Sequence, residues 1–185
     1  MKEIMNLGFK LLLISLIAAL ALGIVNDVTK GKIAEQRALA NERARKAVSP
    51  EADAFEEIDL STLENDLVVE GFRALEDDLQ VGYVFKTLPK GYGGSLEVIV
   101  GIANNGNITG VRIGSHNETP GLGAKATEAS FYDQYENMMA NQEINVSKTQ
   151  SSEVEIQAIS GATITSEAVT RGVNSAIEAF EAFVQ

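Results

Sequence analysis

The sequence predicts an α+β fold, an antiparallel sheet packed with helices, preceded by a single N-terminal transmembrane helix and a helical stalk. Three observations carry this. Leu11 to Val25 reads LLLISLIAALALGIV without a charge. Residues 67–113 hold four short runs rich in β-branched and aromatic side chains, separated by Gly, Asn and Pro. Near the end of the chain Val169, Val173, Ala176, Ile177, Phe180 and Val184 recur at helical spacing. Strands grouped together and then joined by helices argue for α+β rather than a parallel, alternating architecture. The implied division is an anchor over 1–28, a helical stalk and linker over 29–60, and a globular domain over 61–185.

The first element is the apolar helix. Leu7 to Phe9 extend the uncharged run on the far side of Lys10, whose long side chain can reach the interface. That leaves about 19 residues, roughly 28 Å of helix, close to the thickness of a bilayer core. We take residues 6–27 as one membrane span. A cleaved signal peptide is the competing reading, because Lys2 and Lys10 precede the apolar core and Ala19-Leu20-Ala21 has the small-x-small pattern of a cleavage site. The apolar run continues past Ala21, which favours the anchor.

Val28 to Ala47 follows as a stalk in which Lys30, Lys32, Arg37, Arg43, Arg45 and Lys46 are interleaved with Glu35 and Glu42, the pattern of a solvated helix. Counted alone, these bases lean toward a cytoplasmic domain. Ser49-Pro50 ends the helix. Glu51 to Asp59 is acidic, with Phe55 and Ile58 as its apolar points, and Glu56, Glu57 and Asp59 read as solvated surface.

The strands are expected at Leu67–Phe72, Val81–Leu88, Ser95–Ile102 and Ile108–Ile113, giving a core sheet of three or four strands. Residues 89–94 (PKGYGG) and 104–107 (NNGN) supply side chains that accept positive φ, so both read as hairpin connections. Thr127–Met139 is expected as a helix, Ile144–Lys148 and Val154–Ile159 as strands, and Thr165–Val184 as the terminal helix.

Composition narrows function. Hydrophobic residues are 45% and charged residues 22% of the 185, an ordinary globular balance. The formal net charge is −11. Residues 1–30 hold Lys2, Lys10 and Lys30 against Glu3 and Asp27, a net +1, so residues 31–185 carry −12. A surface that acidic repels phosphate backbones and argues against nucleic acid as a partner. No Cys is present, which excludes disulfides, iron–sulfur ligation, thiolate zinc sites and a lipidated Cys. His116 is the sole histidine, so a His-ligated cluster is excluded as well. Redox chemistry here would need an organic cofactor.

Two loop segments stand apart. Glu118-Thr119-Pro120-Gly121-Leu122-Gly123 is explained by turn formation alone. Ser160-Gly161-Ala162-Thr163-Ile164-Thr165-Ser166 runs from a strand end into a helix start, where Thr165 or Ser166 would serve as an N-cap whatever the function. The second segment also suits an anion. Its small residues let a bulky ligand approach, and helix N-terminal amides favour negative charge beside Thr163, whose hydroxyl could carry a phosphoester.

These residues resemble a known family. Ser160 to Ser166 is similar to the flavin-attachment motif of the FMN-binding domain in the G subunit of Rnf complexes and in the C subunit of sodium-pumping NADH:quinone reductases. The N-terminal span, the stalk, Lys90-Gly91-Tyr92-Gly93-Gly94 and the loop from His116 to Gly123 extend the similarity to the Rnf G subunit over essentially the whole chain. The resemblance implies FMN, held covalently through its phosphate by Thr163, with Ser160, Gly161, Ala162 and Thr165 around it and Glu118, Thr119, Leu122 and Gly123 as further contacts. The family commonly has Asp where this chain has Gln157, a residue linked with recognition by the flavin transferase; Gln keeps hydrogen bonding and loses the charge.

The resemblance further implies an electron-transfer subunit within an ion-translocating ferredoxin:NAD+ oxidoreductase. Its partners would be the A, D and E membrane subunits, the flavin transferase and the lipid bilayer, with the flavin domain on the outer face of the membrane. That orientation opposes the simple count of basic residues, which belong to a mixed-charge stalk rather than a bare loop. A membrane-tethered binding or sensor domain without redox work is the alternative. A hydrolase built on Ser95 or Ser115-His116 lacks a G-x-S-x-G elbow and a triad. Tyr83 and Tyr92 could stack on a flavin, yet aromatic residues of hairpins more often pack across strands.

Overall fold

The apolar run and the stalk form one helix. In the computed structural model, which describes residues 1–149, 152 and 154–184, helix α1 covers Lys2–Val48. The chain divides into two compact units, Met1–Ala40 and Asn41–Gln185. The first is helical throughout, and its large apolar side chains from Ile4 to Val28 are all exposed. It is long and apolar enough to cross a membrane by length and composition. Two exposed i,i+3 ion pairs, Lys30–Asp27 and Lys32–Glu35, suit a solvated helix and contribute a few tenths of a kcal/mol each, at about 0.2–0.5 per pair.

The second unit begins with the end of α1, which stops at Val48 ahead of Ser49-Pro50 as expected. Val48 is fully buried. Its carbonyl accepts the Thr109 hydroxyl, and Gly101 provides the space, since a Cβ there would lie 2.2 Å from the Val48 oxygen. Arg45 lies over the rings of Phe72 and Phe55, at 4.4 and 5.9 Å from their centroids.

Five strands follow in an antiparallel meander of order β1-β2-β3-β4-β5: β1 (Ala54–Glu57), β2 (Val68–Glu76), β3 (Leu79–Thr87), β4 (Val98–Ala103) and β5 (Ile108–Ile113). Residues 89–94 and 104–107 connect β3 to β4 and β4 to β5 as hairpins, with Gly94 and Gly106 at positive φ. The β2–β3 turn is made by Asp77 and Asp78, both left-handed at φ 49° and 64°, the pair of positive φ values that a two-residue hairpin needs. β1 is an addition to the three or four strands expected. The acidic stretch around Phe55 pairs with β2 from Ala54↔Leu75 to Glu57↔Phe72, because Phe55 packs beside Ala74 and Phe72 while its glutamates face solvent.

β4 is buried along nearly its whole length, since both faces of the sheet are covered. On one face Tyr83, Phe85, Val98, Val100 and Ile102 pack against the terminal helix α3 (Thr163–Val184) through Val169, Val173, Ala176, Ile177 and Phe180. The fully buried Val, Ile and Phe side chains among them contribute about 1.5–3 kcal/mol each of transfer free energy. Tyr83 stacks on Phe85 and Phe183, so it belongs to this core. Val184, the last member of the helical stripe, is instead 53% exposed. On the other face the end of α1 and Ala52 meet Ala74, Val84 and Ile99.

The helix expected over Thr127–Met139 is broken into a 3-10 turn at Gly123–Thr127, one turn of α2 (Ala129–Tyr132) and a second 3-10 turn at Asp133–Tyr135. Tertiary pairing overrides local propensity here. Asn137 turns left-handed at φ 65°, and residues 137–140 lie along the start of β5, with Asn137 N–H donating to the Ile108 carbonyl and Ile108 N–H to Met138, both at 2.9 Å. Phe131 and Tyr135 are buried as a result. The Tyr135 hydroxyl meets Thr170 Oγ1 at 2.8 Å, and burial pushes its pKa well above the ordinary value. β6 (Asn145–Ser147) and β7 (Glu155–Gln157) pair in parallel as a separate two-stranded sheet.

Candidate functional site

Two turns of similar design bring the singled-out loops together. In Thr119-Pro120-Gly121-Leu122 the Leu122 N–H donates to the Thr119 carbonyl at 3.1 Å and Gly121 has φ +78°. In Ile159-Ser160-Gly161-Ala162 the Ala162 N–H donates to Ile159 at 2.9 Å and Gly161 has φ +77°. Both have the positive φ at the third position that a type II turn requires, which glycine supplies without strain. The second turn leads directly into α3.

Helix α3 starts at Thr163, so the expectation that Thr165 or Ser166 caps it is corrected. Both lie in its first turn, buried, with their hydroxyls committed elsewhere. Ser166 Oγ accepts the Ile159 N–H at 2.9 Å and donates to the Ala162 carbonyl at 3.1 Å, locking the turn to the helix. Thr165 Oγ1 donates to Glu118 Oε2 at 2.7 Å. Among the described residues nothing accepts from the amides of Thr163, Ile164 and Thr165. Thr163 itself is exposed.

A cavity of about 410 Å3 opens between these elements, lined by Tyr92, Glu118, Thr119, Leu122, Gly123, Gly161, Ala162, Ile164 and Thr165. Seven of the nine residues singled out from the sequence are in its wall. The other two, Ser160 and Thr163, are exposed and outside the lining, Thr163 standing between the lining residues Ala162 and Ile164. The sequence-based set omitted Tyr92 and Ile164. Tyr92 carried a signal as an aromatic side chain amid glycines; Ile164 was hidden as the variable position of the motif.

Glu118 is the polar centre of the wall and is only 6% exposed. Its Oε1 accepts the Gly93 N–H at 3.1 Å, and its own N–H donates to His116 Nδ1 at 3.2 Å, so His116 braces the loop. Glycines make the enclosure possible. A Cβ at Gly123 would lie 2.4 Å from Glu118 Oε2, and one at Gly93 would lie 2.0 Å from the Asn117 carbonyl oxygen. Tyr92, Leu122 and Ile164 are 72%, 46% and 52% exposed, an apolar rim around the carboxylate. A larger hollow of about 470 Å3 lies toward the other end of α3, beside Phe180 and Val184, and lacks a buried charge.

This arrangement has the features of a cofactor site. Its volume falls in the range of about 300–1,000 Å3 usual for ligand pockets, with apolar walls and few polar groups, and an uncapped helix N-terminus stands beside it for an anion. Residues 91–178 match the FMN-binding domain family. The chain is 41% identical to the G subunit of the Na(+)-translocating ferredoxin:NAD(+) oxidoreductase complex of Acetobacterium woodii, over 97% of this chain and 93% of that one. The chain belongs to the G-subunit family of ion-translocating oxidoreductase complexes. A second member, from Methanosarcina acetivorans, is 31% identical over 96% of this chain and 94% of its own length.

The fold agrees as well. The crystal structure of the C subunit of Na(+)-translocating NADH-quinone reductase from Parabacteroides distasonis superposes with a TM-score of 0.63 at 18% identity, over 83% of this chain and 96% of that one. The similarity drawn from the Ser160–Ser166 motif and the expected α+β architecture are both confirmed.

Proposed function

We infer that this chain is a membrane-anchored flavoprotein subunit that holds FMN as a phosphate ester on Thr163 and relays electrons in a ferredoxin:NAD+ oxidoreductase complex coupled to ion translocation. The observation that carries the reading is Thr163, an exposed residue at the first position of an uncapped helix, flanked on both sides in sequence by residues of the cavity wall. When bound, flavin supplies one- and two-electron redox chemistry; the protein binds, orients and tunes it.

The chain's own residues divide that work. The free first-turn amides of α3 and the helix dipole stabilise a phosphodiester charge, by about 0.3–1 kcal/mol for an exposed anion, in a protein whose net charge is −11. Ser160, Gly161 and Ala162 leave the approach to Thr163 open. Tyr92, Leu122 and Ile164 offer apolar surface to a planar ring and displace water from it. Thr119, Gly123 and the Glu118–Thr165 pair form the polar floor.

Relatives of this chain are subunits of multi-subunit complexes, which supports assembly with other subunits; we propose the A, D and E membrane subunits as these partners and a flavin transferase for maturation. Gln157, at the position where the family commonly has Asp, donates through its side chain to the Lys148 carbonyl at 3.2 Å. The exposed apolar length of α1 supports anchoring. We place the flavin domain on the outer face, and the absence of Cys makes that testable. A single Glu181→Cys should react with a membrane-impermeant maleimide in intact spheroplasts; labelling that appears only after lysis would reverse the orientation.

The decisive experiment on function is mass spectrometry of the full chain co-expressed with a flavin transferase. The tryptic fragment 149–171 is expected to carry FMN, with fragment ions locating it on Thr163. An unmodified fragment from cells in which a known substrate of the same transferase is fully flavinylated would overturn the reading and favour a binding domain without redox work.

A further inference from the structure

We propose that Glu118 is a fixed negative charge that lowers the reduction potential of the flavin held at this site, an inference that rests on the flavin reading above. Among the described residues it is the one charged side chain in the cavity wall. It is only 6% exposed, and no Lys, Arg or His forms an ion pair with it among those residues. Its two oxygens are instead held by neutral donors, Thr165 Oγ1 at 2.7 Å and the Gly93 N–H at 3.1 Å.

Enclosing a carboxylate without a cation costs free energy that a neutral side chain would not. A hub serving only to join the Gly93 loop to α3 would be served by Gln, whose carbonyl oxygen accepts from the Gly93 N–H while its amide donates to Thr165 Oγ1 in place of accepting from it. Gly91 and Gly123 leave the space that the carboxylate occupies, since a Cβ on either would lie 2.4 Å from one of its oxygens, and a charge enclosed by protein acts more strongly on its neighbours than one in water. Adding electrons to a ring beside a fixed negative charge is disfavoured, so the charge moves the potential downward. The Thr165 hydroxyl offsets part of that charge, which gives the site two adjustable parts of opposite sign.

The experiment is spectroelectrochemical titration of the full flavinylated chain in detergent at about pH 8, above the ordinary carboxylate range. Glu118→Gln should raise the midpoint potential, and Thr165→Val, which strips a donor from the carboxylate, should lower it. The flavin content of each variant is read as fluorescence at the denatured band, and potentials are compared on the flavinylated fraction. Coincident potentials for wild type and Glu118→Gln would overturn the proposal. If Glu118→Gln does not fold, Thr165→Val decides it: a lower potential supports the charge, and an unchanged one overturns it. A wild-type band without flavin is a different failure, that of the flavin reading.

Discussion

Thr163→Ala is expected to abolish flavin fluorescence at the protein band after denaturing electrophoresis, down to background, while Thr163→Ser retains a measurable part. Residues 160–166 offer four hydroxyls, and the structure separates them. Thr165 and Ser166 are buried and bonded, to Glu118 and to the Ala162 carbonyl respectively. Ser160 is exposed but lies within the turn that precedes α3, outside the helix. Thr163 combines exposure with the helix N-terminus that favours a phosphodiester. FMN bound without a covalent link is released on denaturation, so the alanine variant reads attachment rather than affinity. Fluorescence persisting in Thr163→Ala would move the acceptor to another residue, with Ser160 the next to test.

The second large effect is on stability. Gly101→Ala should destabilise the 41–185 unit by about 3 kcal/mol or more, the upper end for overpacking a close-packed core. Its Cβ would fall 2.2 Å from the Val48 oxygen and 2.6 Å from Thr109 Oγ1, two atoms already bonded to each other. Neither can retreat, since Val48 is fully buried and Gly101 sits in register between Val84 and Gly110. At about 2–4 °C per kcal/mol for a unit of this size, the midpoint should drop by roughly 10 °C, read by near-ultraviolet circular dichroism of the tyrosines. Gly31→Ala is the control: its Cβ meets nothing within 4 Å. An unchanged midpoint in Gly101→Ala would mean that the end of α1 does not dock on the sheet in solution.

Much of the fold could be read from local pattern. β5 appears at Ile108–Ile113, where alternation and the flanking Asn-Gly turn placed it. The PKGYGG and NNGN turns close the hairpins they suggested, because Gly94 and Gly106 take the backbone angles that other residues resist. The failures share a cause. Residues 127–139 have helical spacing but hold only two short turns, Ala129–Tyr132 and Asp133–Tyr135, since residues 137–140 give their backbone bonds to the start of β5. β1 was hidden because its Glu-rich composition resembles a loop, and a strand at a sheet edge keeps only one apolar side chain, Phe55, for the packing.

At the site, a small-residue loop leading into a helix start was legible in Ser160–Ser166, because both features are written in consecutive residues, whereas the proposed acceptor role of Thr163 came from the family resemblance. The two roles given to Thr165 differ: its position in the sequence suited a cap, whereas the structure turns its hydroxyl inward to Glu118, 47 residues away. No local pattern reports such a bond, which depends on how the Gly93 loop, the Glu118 loop and α3 are folded together. The chain by itself determined the apolar helix, the strand and hairpin pattern, the anionic surface and the Thr163 motif, all of which depend on side-chain type and spacing over a few residues. Only the tertiary structure decided that the first turn of an uncapped α3 holds a buried carboxylate, through Thr165, in the wall of a cavity of about 410 Å3. Burial and electrostatic environment are properties of groups brought together from distant parts of the chain, and they exist only once the chain has folded.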